Sequence, residues 1–199
     1  MKKIVLALLI VLGSIVGIQS VSAIEVIGDL LYWYSDSGAI GDWTPNATYS
    51  IKETANASSS FTTDVKTGFS AWNSAGVPNS YESVFNNGTI KVYGGLYSEI
   101  KNAFPSFSTT ASGQTLVAAV PSGSYYITPS GYREAYFMAN GTEIYYATDR
   151  ANSKTYKHEA GHSLGWLGHS SNSGDIMYGS QTTVTQLTLR DKDHLNQVY

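Results

Sequence analysis

The chain has 199 residues and no cysteine, so it is long enough for one domain with its own core, and a disulfide framework, a Cys-ligated metal and a Cys nucleophile are all excluded. Only 14% of residues are charged; the net charge is −3, or −5 once Lys2 and Lys3 leave with a leader. No basic run is present to neutralise phosphates, which excludes nucleic acid as a partner.

Lys2 and Lys3 form a positive n-region, Ile4 to Ile18 an apolar stretch, and Val21-Ser22-Ala23 a small-residue cleavage site. Together these read as a secretory signal peptide over 1–23. The apolar stretch is broken by Gly13, Ser14 and Gly17 and falls short of the ~20 residues that span a bilayer, so a secreted, extracellular chain with no lasting membrane insertion is expected. The remainder, 24–199, reads as a single domain and a monomer. Its lead-in, 24–43, has weak periodicity, with Leu30, Leu31, Tyr32 and Trp33 needing a hydrophobic groove.

Ala47, Tyr49 and Ile51 alternate with polar residues, which predicts a strand. Phe61, Val65, Phe69 and Trp72 then recur at helical spacing and predict a helix with one buried face, stopped by Gly76 and Pro78. Strands are expected at Ile90 to Tyr93 and Leu116 to Val120. Glu134 to Ala139 and Glu143 to Thr148 flank Asn140-Gly141, a two-residue hairpin signal. Asn152 or Ser153 caps a helix running to about Gly165. Thr188-Leu189-Arg190-Asp191 resembles a capping box and opens a final helix, with Leu189, Leu195 and Val198 turned to the core. The pattern predicts a mixed α/β (α+β) domain, with an upper part over 24–165 and a loop-rich lower part over 166–199 that closes in a helix.

The chemistry concentrates in His158-Glu159-Ala160-Gly161-His162-Ser163-Leu164-Gly165-Trp166-Leu167-Gly168-His169. On a helix His158 and His162 are about 400° apart, so both imidazoles leave one face and can share a zinc ion. Glu159 neighbours the first ligand and can reach a water activated by the ion without occupying the metal. Gly165 allows a left-handed turn that brings His169 back as third ligand. Three protein ligands leave a fourth position open, which marks a catalytic zinc site rather than a structural one. Three of the chain's four histidines fall in this motif, a coincidence that a plain core helix does not explain.

With these residues the chain resembles the metzincin metalloproteases. Ser173-Gly174-Asp175-Ile176-Met177-Tyr178 is similar to their methionine turn, with Met177 beneath the metal. Ser170 after the third histidine, and Tyr178 directly after Met177, resemble the matrixin family. The resemblance implies a twisted, mostly parallel sheet with an antiparallel edge strand, an active-site helix and a loop-rich C-terminal subdomain. It also implies extended protein or peptide substrates held against an edge strand, for which Glu134 to Ala139 is the candidate. The implied reaction is peptide hydrolysis by zinc-activated water, with Glu159 as general base.

Where matrixins usually carry a proline after the Met-Tyr pair, this chain has Gly179, which leaves the substrate pocket's shape undefined. A second, histidine-rich zinc site cannot be built, because only His194 remains, and it reads as a surface or packing residue. Structural calcium stays open through Asp and backbone oxygens, although no Asp-rich loop resembles a dedicated calcium loop. Two rival readings stand beside the peptidase: a zinc hydrolase of a non-protein substrate, and a surface or adhesion module. The second is suggested by 15 tyrosines and the Asn-x-Ser/Thr sequences at Asn46, Asn56, Asn87 and Asn140.

Overall fold

The computed structural model describes residues 24–25, 47–75, 80–84, 86–127, 133–166 and 168–196, with backbone alone at 24–25, 119–127 and 133–140. The leader over 1–23, the Leu30 to Trp33 lead-in, Asn46, the Gly76 and Pro78 helix stop, and Val198 lie outside the described residues. Six strands and four helices follow in order: β1 (Ile24–Glu25), β2 (Ala47–Glu53), α1 (Phe61–Asn73), β3 (Ser80–Glu82), β4 (Ile90–Gly95), α2 (Tyr97–Ala103), β5 (Gly113–Ile127), β6 (Arg133–Ala147), α3 (Ser153–Ser163) and α4 (Leu189–Asn196). Among them, no helix is long and apolar enough to cross a membrane.

The strands form one sheet in the order β1-β5-β6-β4-β2-β3. Strands β3, β2, β4 and β6 are mutually parallel, while β5 runs antiparallel to β6. The two-residue β1 pairs with the far end of β5, at Tyr126 and Ile127, and among the described residues Gly113 to Ala118 pair with β6 alone. The domain is therefore mixed α/β, with a mostly parallel sheet and an antiparallel strand at the edge nearest α3.

Helices α1 and α3 cover one face of the sheet. Phe61, Val65, Phe69 and Trp72 are all buried, as their spacing predicts. They meet Ala47 and Tyr49 of β2, Ile90 and Val92 of β4, and Ile144 and Tyr146 of β6 in one core, with Tyr49 stacked on Phe69 at 4.2 Å. Trp72 Nε1 donates to Lys157 O at 2.7 Å, which fixes α1 against α3 and satisfies the one polar atom of a fully buried indole. The opposite face holds a smaller cluster, Ile100, Phe107 and Ala147, beneath α2.

Two expectations are corrected. Asn140-Gly141 does not turn the chain: β6 runs unbroken from Arg133 to Ala147, and Asn140 is the extra residue of a bulge, since Ala118 pairs with Gly141 and Ala119 with Ala139. From Thr142 onward β6 is paired with β4 as well as β5, and ladders on both sides outweigh a local turn preference. Leu189 is 76% exposed rather than packed on the core, whereas Leu195 is fully buried. Of the two readings left for His194, packing holds: it is buried and stacked on Trp166 at 3.9 Å. The short elements β3 and α2, and the full length of β5, carry no strong local signal.

Candidate metal centre

Helix α3 begins where its sequence indicates. Asn152 Oδ1 accepts from Thr155 N at 3.0 Å, and Thr155 Oγ1 accepts from Asn152 N. The helix ends at Ser163, and Gly165 then takes φ 117°, a left-handed backbone that a side chain would strain. That turn redirects the chain toward His169.

The imidazoles of His158, His162 and His169 converge, with one ligand-type atom from each lying within 4.8 Å of the others. His158 Nδ1 bonds to Ile176 O at 2.8 Å and His162 Nδ1 to Trp166 O at 2.5 Å. Because a carbonyl only accepts, each Nδ1 carries the proton and each Nε2 is left with a lone pair facing the centre. Those two Nε2 atoms are 3.0 Å apart. Two lone pairs that close repel unless a cation lies between them, and two ligands of a tetrahedral zinc at ~2.05 Å are ~3.3 Å apart. Burial, reinforced by the neighbouring imidazoles, holds His158 well below the usual histidine range and His162 down to about 3, so both are neutral donors. The three residues can therefore hold a metal ion. Among the described residues no further group of three or more His, Asp or Glu side chains converges in this way.

Glu159 is buried beside the trio, and burial pushes its carboxyl up to about 7, against the opposing pull of a Thr115 hydrogen bond and the Lys154 charge. Thr115 of β5 donates to Glu159 Oε2 at 2.7 Å. A carboxylate so held sits in the range where a group can both take and return a proton near neutrality.

Met177 lies directly under the helix. A Cβ added to Gly161 would fall 2.6 Å from Met177 Sδ and 2.6 Å from Trp72 Cζ2, so only glycine admits both neighbours. The turn carrying Met177 is pinned from below by Asp191, whose carboxylate accepts from the N–H groups of Ile176, Met177 and Thr188 at 3.0, 3.1 and 2.9 Å. Asp191 N in turn donates to Thr188 Oγ1, completing the predicted capping box. Asp175 is also buried, accepting from Ser170 Oγ, Thr188 Oγ1 and Arg190 Nε, and Ser170 N donates to Met177 O at 2.8 Å.

The motif residues named from sequence thus come together: His158, Glu159, His162, His169 and Met177. The side chains of Glu134 to Ala139 lie outside the described residues, and Thr115 of β5 is the strand residue bonded to Glu159. Thr115 was not legible as part of the site, since nothing in its local sequence marks it, and Asp175 was legible only as a member of the methionine-turn stretch. Asp191 was legible only as a helix cap. No protein-family model matches this chain, and no curated protein sequence does either.

Proposed function

We propose that this protein is an exported zinc-dependent endopeptidase of the metzincin type, similar to the matrixins. The observation that carries the reading is the convergence of three imidazoles, two of them with their Nε2 lone pairs turned on each other at 3.0 Å, beside the buried Glu159 carboxyl. Zinc held by His158, His162 and His169 would supply a Lewis acid and an acidified water. Glu159, held by Thr115, takes the proton of the attacking water and returns it to the leaving amine. The Ile176 and Trp166 carbonyls keep His158 and His162 in the tautomer that presents Nε2. Among the described residues Gly113 to Ala118 of β5, beside α3, pair with β6 alone, and such an edge offers an extended peptide a strand partner, which favours a polypeptide over a small molecule as substrate. Export rests on the pattern of residues 1–23 alone.

The test is metal analysis of the purified mature chain with a peptide-library digest, run beside Glu159→Ala. One zinc per chain and internal peptide cleavage that the variant lacks supports the reading. Zinc without cleavage of any peptide favours a hydrolase of another substrate, and a chain that binds no zinc favours a binding module.

A further inference from the structure

Two lysines in the first half of α3 are buried, although the chain has only 12 Lys and Arg in all. Neither forms an ion pair among the described residues. Lys154 Nζ instead donates to Tyr178 O and Ser180 O, each at 2.6 Å, and Lys157 Nζ donates to Thr185 O at 2.6 Å and Ser153 Oγ at 3.0 Å. Burying an ammonium is costly unless its donors are met, so these bonds must outweigh desolvation. Their acceptors all belong to one segment, 178–185, apart from the hydroxyl of Ser153. Among the described residues, 179–187 neither donate nor accept any backbone–backbone hydrogen bond. Side chains hold the segment in place of a ladder.

The same segment borders the candidate metal centre. A Cβ on Gly179 would lie 3.1 Å from His169 Cγ. Two residues on, Gln181 Nε2 donates to Ser112 Oγ at 2.7 Å and Gln181 Oε1 accepts from Asn152 Nδ2 at 3.0 Å. Ser112 immediately precedes β5, whose Thr115 holds Glu159. The segment therefore spans from His169 to the start of the strand that supports Glu159, crossing the N-terminal half of α3.

The geometry points to Lys154 and Lys157 as positioning residues that strap 178–185 across the helix; that this segment walls the substrate cleft is what the matrixin resemblance implies. The wall role rests on the peptidase reading above; the strap does not. With the wall fixed, selection among substrate side chains next to the scissile bond depends on Lys154, although Lys154 touches no reacting atom.

The strap is tested in a Glu159→Ala background, which removes self-cleavage. The full chain meets a trace of a broad-specificity serine protease, and cuts within 178–187 are mapped by mass. Lys154→Met should speed those cuts by about tenfold or more, with cuts elsewhere unchanged, because local opening sets the rate. Equal rates in the parent and Lys154→Met overturn the strap. If Lys154→Met does not fold, Lys154→Gln, whose amide lacks the charge and is one bond shorter than the ammonium that reaches both carbonyls, is read in the same way. With Glu159 restored, Lys154→Met should raise KM several-fold and, with zinc content within about twofold, flatten the ranking of peptides that differ only beside the scissile bond; the ranking is read as ratios of kcat/KM, in which any effect of the lost Lys154 charge on Glu159 cancels. An unchanged ranking overturns the wall. A wild-type chain that cleaves no peptide overturns the peptidase reading and the wall with it, while the proteolysis arm still decides the strap.

Discussion

The Asp191 carboxylate accepts the backbone N–H of Met177 at 3.1 Å, and through the same carboxylate it holds Ile176 N at 3.0 Å. Ile176 O is the acceptor for His158 Nδ1, so a buried carboxylate at the start of α4 governs the orientation of an imidazole at the candidate metal centre. Asp191→Ala leaves three N–H groups without their acceptor in the core. Unsatisfied buried donors cost about 1–3 kcal/mol each, and the effects are not additive, so a loss of about 3 kcal/mol or more is expected. Loosening a group that orients a metal ligand should also weaken zinc binding by about 10–100-fold. Urea unfolding and competitive zinc titration read the two effects separately; a variant as stable as the parent refutes the clamp.

Glu159→Ala should keep its zinc and its fold while peptide cleavage falls by about 10²–10⁴-fold, the usual contribution of a general base. Retention of more than about a tenth of the parent rate contradicts that role. Metal content by emission spectrometry and initial rates on a fluorogenic peptide decide it.

His169 and Met177 should separate cleanly. His169→Ala is expected to lower zinc affinity as well as activity, since it removes one of three converging imidazoles. Met177→Leu swaps an unbranched apolar side chain for a branched one of similar volume against Gly161 and Trp72, and should cost less than about 1.5 kcal/mol with zinc retained. Parent-like zinc affinity in His169→Ala would place the third ligand elsewhere.

His194 makes stability depend on pH. Burial pushes its imidazole down to about 2, from the usual value near 6.5. Between those values the unfolded chain binds a proton that the folded chain refuses. Its contribution to stability is therefore complete above about pH 6.5 and is lost as pH falls from there toward about 2, by up to about 1.4 kcal/mol per unit. His194→Phe keeps a ring on Trp166 and removes the proton, so its acid limb should be shallower by about one proton. Parallel limbs in urea titrations at pH 7, 6 and 5 exclude the assignment.

Elements with a strong local period were legible in the sequence. The Phe61, Val65, Phe69 and Trp72 face, the Asn152 cap, the turn at Gly165 and the Thr188–Asp191 box each follow from short-range geometry, and the structure has all four. Asn140-Gly141 misled because a turn preference is a property of two residues, whereas the ladders of β4 and β5 on either side of β6 are set by residues tens of positions away. The same holds for Thr115 and for Lys154: their partners, Glu159 and the 178–180 carbonyls, lie far off in sequence. Leu189 shows a limit of hydropathy, since an apolar residue at a helix start carries no sign of which way it faces.

The sheet and the centre also differ in how far the chain must reach to build them. Pairing β2 with β4 brings Tyr49 to Ile90, and pairing β4 with β6 brings Ile90 to Thr142, so the sheet closes long loops before its contacts reward it. His158, His162, His169 and Met177 sit within a single stretch of about twenty residues, and closing it is cheap. Topologies rich in distant parallel pairs fold slowly, and here the slow step belongs to the sheet. A cation joining neighbours so close in sequence narrows the unfolded ensemble very little. Its effect on kinetic persistence falls on the unfolding rate, leaving the refolding rate to β2, β4 and β6.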